Sequence, residues 1–233
     1  MEKDQRLSKK ALSPRAELAR FIDELETEPG DYERIAPEPQ TLLQVLLPDG
    51  ARPRRTLFVT KYMILIRCMT EKLLPDGTVV LHKYGLPTAT YRREIGACLS
   101  KVRPAIFLGD LDPLDLHVYL TLRKDAVELR YGGLNDACLE LCERNFKKGR
   151  LLFDAPTIGM GPMERRHFSI LDSMVDVAAL IGPRSRDLLR SGRKLELEGA
   201  TNPHYFKRGH VEGLLSLVFR ATRTAAPAPA PRA

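Results

Sequence analysis

The chain has 233 residues, a length that accommodates one large domain or two small ones. Apolar residues make up 43% of it and charged residues 29%, which excludes an intrinsically disordered protein and a miniature built on disulfides. The formal net charge is +7, and it favours polyanionic partners such as nucleic acid by long-range attraction.

The pattern of cysteines and apolar residues predicts a cytoplasmic protein. The 4 cysteines form no Cys-x-x-Cys pair, so they indicate small buried hydrophobes in a reducing compartment rather than a zinc site. No segment approaches the roughly 18 to 20 apolar residues of a membrane span, and the N-terminal stretch does not resemble a signal peptide. We therefore expect no membrane partner.

Residues 1–50 are interpreted as an N-terminal extension made of a helix and a strand. Ser13 suits the N-cap of the helix and Pro14 its first position, and an apolar stripe follows at Leu18, Phe21, Ile22 and Leu25. The helix is expected to end near Pro29. After a proline-broken connection, residues 41–50 predict a strand closed by a turn.

Strands and helices alternate from residue 55 onward. Short runs rich in β-formers predict strands over 56–60, 78–85, 105–109 and 126–133. Apolar or amphipathic runs predict helices over 62–74, 88–101, 113–123 and 135–146. Parallel strands need crossover connections, and helices are the usual crossover. The alternation therefore predicts an α/β domain over 51–220, with a mainly parallel sheet and helices on both faces.

The end of this domain is predicted to be basic and largely helical. Residues 151–162 indicate a strand followed by a glycine-rich loop, and residues 163–182 predict one long helix. Basic residues are frequent over 183–210, and a last helix is expected over 210–222. The Pro/Ala-rich tail over 221–233 cannot bury enough apolar surface to fold, so we expect it to be disordered.

Three carboxylates follow the apolar run at 105–108, at Asp110, Asp112 and Asp115. They lie at the carboxyl end of a predicted central strand, where open α/β sheets bind their ligands. Mg²⁺ is bound by one or two carboxylates together with phosphate oxygens, so Asp110 and Asp112 are candidate metal ligands and catalytic residues for phosphodiester chemistry. The alternative is that these carboxylates cap the free amides of the helix that begins at Pro113.

The order of elements over 55–150 resembles a Toprim domain, the metal-binding module of topoisomerases and bacterial primases. The segment "GDLDP" is similar to the Asp-x-Asp-Pro motif of that family, at Asp110, Asp112 and Pro113. The segment "YGLPTATYR" resembles its Gly-x-Pro-x4-Arg segment, at Gly85, Pro87 and Arg92. The similarity is strongest to the A subunit of topoisomerase VI, to its meiotic double-strand-break relatives and to the Toprim nuclease subunit of Wadjet plasmid-defence systems.

The resemblance implies a DNA-processing assembly with Mg²⁺ as cofactor, an ATPase-type partner subunit and a homodimer as oligomeric form. Active relatives carry a glutamate after the first strand, and Lys61 holds that position here. A charged lysine cannot bind Mg²⁺, but it could form a salt bridge with Asp110 or Asp112 in place of the metal. Asp115 stands where relatives have glycine. Tyr32 precedes the domain in a segment too short for the winged helix that carries the cleaving tyrosine.

Three further groups of residues are candidates for the site. Phosphate contacts are predicted for Arg92, Arg93 and Lys83, because guanidinium and ammonium groups at the mouth of the sheet suit phosphate oxygens. The alternative is that they belong to a solvated helix face. Glu71 or Glu164 could supply a third carboxylate. His82 and His117 lie near predicted strand ends, where a hydrogen-bonded packing role is the simpler interpretation.

These observations leave three hypotheses. The first is a degenerate Toprim protein that binds DNA or partner subunits without cutting, and the lysine at position 61 favours it. The second is an active Mg²⁺-dependent nuclease or transesterase that uses Asp110 and Asp112 with a carboxylate from elsewhere. The third is a phosphatase of the haloacid dehalogenase type, which also places Asp-x-Asp after an apolar strand.

Overall fold

The computed structural model describes residues 12–27, 43–47, 50, 52–83, 85–146, 156–207 and 209–224. The strands are β1 (Gln44–Leu46), β2 (Arg55–Val59), β3 (Thr78–His82), β4 (Ala105–Leu108), β5 (Arg130–Tyr131), β6 (Thr157–Gly159) and β7 (Arg193–Leu195). The helices are α1 (Pro14–Thr27), α2 (Tyr62–Thr70), α3 (Ala89–Lys101), α4 (Pro113–Arg123), α5 (Asp136–Asn145), α6 (Pro162–Met174), α7 (Val177–Ile181), α8 (Pro183–Arg190), α9 (Leu197–Thr201) and α10 (His210–Thr224).

A five-stranded sheet with the order β1-β3-β2-β4-β5 forms the centre of the fold. Strands β3, β2, β4 and β5 are parallel to one another, and β1 pairs with β3 in the antiparallel direction at the edge. The predicted α/β fold with a mainly parallel sheet is therefore confirmed. A second sheet consists of the antiparallel strands β6 and β7.

Helices cover both faces of the central sheet, as predicted. Successive side chains of a strand point to opposite faces. Leu57 and Ile106 accordingly belong to one core, which is shared with α5, α8 and α10. Phe58 and Phe107 belong to the other, which is shared with α1, α3 and α4. No helix among the described residues combines the length and the apolar character needed to cross a bilayer.

Both elements of the predicted N-terminal extension pack against the α/β domain. Ser13 Oγ accepts a hydrogen bond from the Ala16 amide, as expected of an N-cap. Helix α1 packs on α6 and buries Phe21, whose ring lies 5.0 Å from that of His167. Strand β1 is part of the central sheet. Tyr32 lies outside the described residues.

Three segments differ from the sequence prediction. The single helix expected over 163–182 is two helices, because Val175 is extended and Asp176 caps a new helix through the Ala179 amide. The loop expected at 157–162 contains β6, which pairs with β7. The strand expected over 126–133 is reduced to β5, because residues 124–129 form turns through the amides of Ala126 and Leu129.

The boundary of the predicted tail also shifts. Helix α10 continues to Thr224, beyond the start of the tail expected at 221. Residues 225–233 lie outside the described residues, as do 151–155, where a strand was expected. Neither the disorder of the tail nor that strand is tested.

The buried position of Phe21 predicts that α1 contributes substantially to stability. Replacing Phe21 with Ala removes a side chain that is 0% exposed and leaves a cavity between α1 and α6. We expect the free energy of unfolding, measured in urea, to fall by about 3 kcal/mol. Leu12→Ala is the control, since Leu12 is 49% exposed. Equal effects of the two substitutions would contradict the packing of α1.

Candidate functional site

The register of the parallel sheet brings Lys61 next to Asp110. Val59, the last residue of β2, pairs with Leu108, the last residue of β4. Two residues further along each chain stand Lys61 and Asp110, and parallel strands carry them past the same edge of the sheet. The Lys61 Nζ lies 3.0 Å from Asp110 Oδ2, so the predicted salt bridge is present.

This ion pair is largely removed from water. The Asp110 side chain is 0% exposed and that of Lys61 is 15% exposed. The other carboxylate oxygen, Oδ1, accepts a hydrogen bond of 2.7 Å from the Leu197 amide. Burial and the nearby charges of Asp115 and Asp112 raise the pKa of Asp110, while Lys61 opposes them. Burial lowers the pKa of Lys61, but Asp110 outweighs it and holds this pKa above its ordinary value.

Asp112 is the N-cap of α4. Its Oδ1 accepts a hydrogen bond of 2.7 Å from the Asp115 amide, and Pro113 occupies the first turn of the helix. The capping alternative from the sequence is therefore confirmed for this residue. Burial raises the pKa of Asp112, although the hydrogen bond from Asp115 opposes the rise.

Asp115 fastens the end of β2 to the loop after β4. Its Oδ2 accepts hydrogen bonds of 2.6 Å from Thr60 Oγ1 and of 2.6 Å from the Asp110 amide. A Cβ atom at Gly109 would lie 2.7 Å from the same oxygen, so only glycine leaves room for this carboxylate. Burial, together with the charge of Asp112, raises the pKa of Asp115 to about 7. The sequence placed Asp115 among the three carboxylates at this strand end, but it did not predict the hydrogen bond from Thr60.

A second lysine comes from the C-terminal region. The end of β7 runs beside the acidic loop, because Leu111 and Leu195 exchange backbone hydrogen bonds of 2.9 and 3.2 Å. Lys194 Nζ then lies 2.8 Å from Glu164 Oε1 and 3.5 Å from Glu196 Oε1. Burial lowers the pKa of Lys194, but Glu164, Asp112 and Glu196 outweigh it and raise this pKa.

Lys194 was not predicted as a site residue, although the sequence around it has an informative pattern. In "RKLELE" apolar and charged residues alternate, which is typical of a strand with one buried face. The alternation puts Leu195 and Leu197 on one side and Lys194, Glu196 and Glu198 on the other, where Lys194 is also buried. What the sequence does not contain is the pairing of this strand with the loop at Leu111.

The two candidate third carboxylates have different positions. Glu164 lies beside the cluster, where Oε1 binds Lys194 and Oε2 caps α6 through the Gly161 amide. Glu71 is not part of this group of side chains, since it pairs with Arg67 on the surface of α2. Glu198 is nearer the ion pair: its charge raises the pKa of Lys61, and its Oε2 is buried without a hydrogen-bond partner among the described residues.

The acid–lysine cluster consists of Lys61 and Lys194 with the carboxylates around them. Its contacts do not suit Mg²⁺. Both oxygens of Asp110 are in contact with protein donors, and one oxygen of Asp112 caps a helix. Mg²⁺ needs near-octahedral oxygen ligands and keeps several waters in its shell. The Lys61 ammonium occupies the space beside Asp110 that the ion and its waters would need. Within the described part of the chain, no three His, Cys, Asp or Glu side chains are arranged to hold a metal.

The predicted phosphate-binding residues do not form one surface. Arg92 pairs with Asp125 at 2.6 Å, and Arg93 is exposed. Lys83 is 1% exposed, with its Nζ 5.3 Å from the centre of the Tyr91 ring. In this position the Lys83 ammonium does not reach the surface, so the predicted phosphate contact does not suit it.

The two histidines near the strand ends have packing roles. His82 Nδ1 lies 2.9 Å from the Val59 carbonyl oxygen, beneath the Tyr62 ring. His117 Nδ1 lies 3.1 Å from His167 Nε2 in the interface of α4 and α6. Burial lowers the pKa of His82, and it lowers that of His117 to about 4, so both rings are neutral near pH 7. The simpler interpretation of these residues is confirmed.

Replacing Lys61 with Met tests the buried ion pair. The substitution leaves Asp110 buried without its counter-ion, and we expect a loss of about 3 kcal/mol in the free energy of unfolding near pH 8. The loss should grow with pH, because the unpaired Asp110 must take up a proton to stay buried. Arg103→Met is the matched control, since its pair with Glu128 is exposed. Similar losses in urea for both variants would contradict the assignment.

The raised pKa of Asp115 predicts a pH-dependent effect of Asp115→Asn. Folded Asp115 titrates near 7 and an ordinary aspartate near 3.8, so the wild type loses stability as pH rises between these values. Asn does not titrate. Relative to the wild type, the variant should therefore gain on the order of 2 kcal/mol between about pH 4 and pH 7.5, measured by urea unfolding. Parallel pH curves for the two proteins would refute this prediction. Asp76→Asn is the surface control.

Comparison with known proteins assigns no family to this chain. No protein-family model matches it, and a search of curated proteins also found no match. The cluster of Lys61, Lys194 and the carboxylates around them is therefore interpreted from its own contacts.

Proposed function

We propose that the protein is a Toprim-like subunit of a cytoplasmic DNA-processing assembly that binds DNA or a partner subunit without cutting DNA. The observation that carries the proposal is the contact of 3.0 Å between Lys61 Nζ and Asp110 Oδ2. An ammonium group at this position takes the place that a divalent cation would need beside the aspartates. Metal-assisted cleavage requires that cation to polarise a phosphate oxygen or to activate a nucleophile.

The closure of the cluster supports the same proposal. Asp110 is 0% exposed, and the end of β7 and the residues after it lie across the acidic loop through Leu195 and Leu197. A DNA phosphate has no surface of Asp110 to approach in this conformation. The carboxylates therefore stabilise the loop and α4 instead of presenting ligands to a substrate.

The partners in this proposal come from charge and from the Toprim resemblance. The net charge of +7 favours DNA. The resemblance to the A subunit of topoisomerase VI and to the Wadjet nuclease subunit suggests an ATPase-type partner subunit and a homodimer. An assembly of this kind can use a non-cleaving Toprim chain to position DNA for another subunit.

A metal-dependent nuclease or transesterase is the second candidate, and one observation favours it. Burial is the largest cause that raises the pKa values of Asp110, Asp112 and Asp115, and repulsion from neighbouring carboxylates adds to the rise even with two lysines nearby. Displacement of Lys61 would let Mg²⁺ supply the missing charge. Asp110 and Asp112 would then be its ligands, and Glu164 or Glu198 would have to move toward them to supply a third carboxylate.

Calorimetry with Mg²⁺ and a plasmid-nicking assay separate the two functions. For the wild type we expect no binding tighter than about 1 mM and no nicking of supercoiled plasmid. Lys61→Glu replaces the ammonium with a carboxylate and should bind Mg²⁺ at least about tenfold more tightly. Asp110→Ala in the Lys61→Glu background is the control and should remove that binding. Metal-dependent nicking by the wild type that is lost in Asp110→Ala would overturn the proposal.

A further inference from the structure

The basic residues of the C-terminal region are largely neutralised by acids. Arg184 pairs with Glu143, and Lys194 pairs with Glu164. Arg186 and Arg190 both bind the Asp172 carboxylate, each through two hydrogen bonds. These cations stabilise contacts between helices, and little of their charge is available to a polyanion. A second surface carries more cations that have no acidic partner among the described residues.

Unpaired cations gather at the edge of the sheet opposite the acid–lysine cluster. Arg52 and Arg54 precede β2, Lys101 precedes β4 and Lys124 precedes β5. Because these strands are parallel, the residues before them lie at the same edge. None of them forms an ion pair with another described residue. We call this surface the basic edge, and its members are Arg52, Arg54, Arg55, Lys72, Lys101, Lys124 and Arg220.

Backbone contacts hold this edge together. The Arg54 amide donates to the Gly77 carbonyl oxygen at 2.8 Å, which joins the start of β2 to that of β3. Thr56 Oγ1 donates to the Val102 carbonyl oxygen at 2.8 Å, which joins it to the turn before β4. Arg52, Arg54 and Lys101 are exposed on this frame. Their positions are therefore set by the sheet and not by a free loop.

The Arg55 side chain lies at this edge with a buried nitrogen donor. Its guanidinium lies over the Phe219 ring, 5.8 Å from the ring centre. Its Nε is buried and has no hydrogen-bond acceptor among the described residues. A groove of about 630 Å³ opens beside it, between the end of α2 and α10, and Lys72 and Arg220 line it with Arg55. An anionic oxygen entering the groove would meet three cations.

Few acids compete for these cations. Glu71, Asp125 and Glu128 lie near the same edge, but they are already paired with Arg67, Arg92 and Arg103. Asp76 and Glu212 form no ion pair within the described part of the chain, and Glu212 lines the groove. Among the described residues, seven cations without an ion pair therefore face these two carboxylates, and the basic edge keeps a clear positive excess.

We propose that the basic edge binds the phosphate backbone of duplex DNA, on the side of the sheet opposite the acid–lysine cluster. This inference rests on the proposed DNA-binding function and names the surface that would bind the DNA. The four parallel strands span roughly 15 Å at about 4.8 Å per strand, a length that faces about four base-pair steps of duplex. Backbone contacts of this kind carry no sequence preference and weaken with salt.

Fluorescence anisotropy with a labelled duplex of arbitrary sequence tests the location. Arg52→Gln with Arg54→Gln removes two exposed cations of the basic edge. Arg15→Gln with Arg93→Gln removes the same charge at two exposed arginines outside the basic edge that form no ion pair with another described residue. We expect the first pair to weaken binding about tenfold near 0.1 M salt and to lower the log–log salt slope by about two. The second pair should change affinity less than about twofold. Thermal unfolding of both pairs checks that they fold.

The outcomes separate the location from the function. Equal losses for the two pairs, or a loss confined to Arg15→Gln with Arg93→Gln, would overturn the basic edge as the site while leaving DNA binding in place. A wild type that binds no duplex DNA at about 0.1 M salt would overturn the proposed DNA-binding function itself. A loss confined to the Arg52 and Arg54 pair supports both.

Discussion

The arrangement of the strand ends and of the C-terminal region depends on the buried ion pair between Lys61 and Asp110. An ionised carboxylate with no exposed surface is costly unless it is paired and hydrogen-bonded, and Asp110 obtains one partner from β2 and one from the segment after β7. The lysine thus joins the end of β2 to the end of β4, its neighbour in the sheet. The Leu197 amide connects the C-terminal region to the same edge. Removing the ammonium would loosen both connections at once.

The same pair explains why an acidic strand end need not be a metal site. Three carboxylates at the end of a parallel strand create a demand for positive charge that a divalent cation or a protein cation can meet. Here Lys61 pairs with Asp110, and the charge of Lys194 acts on Asp112. A lysine is permanently attached and needs no exchange with solvent, so the protein keeps the architecture of the site while its carboxylates serve the fold.

The central sheet and the Lys61–Asp110 contact could be predicted from the sequence because both follow from strand order. Lys61 and Asp110 each stand just beyond a strand, and neighbouring parallel strands carry such positions together. Lys194 could not be predicted in this way, because its segment is 87 positions from Asp110 at the Leu197 contact and joins the site by tertiary pairing alone. The burial of Lys83 and the helix break at Asp176 likewise depend on packing that local pattern does not record.

Crystals soaked in Mn²⁺ and measured near the manganese absorption edge give the most direct test of the lysine as a substitute for metal. The account predicts no anomalous peak between Asp110 and Asp112, with Lys61 Nζ still within hydrogen-bonding distance of Asp110. A peak bridging the two aspartates, with the lysine side chain turned away, would contradict it.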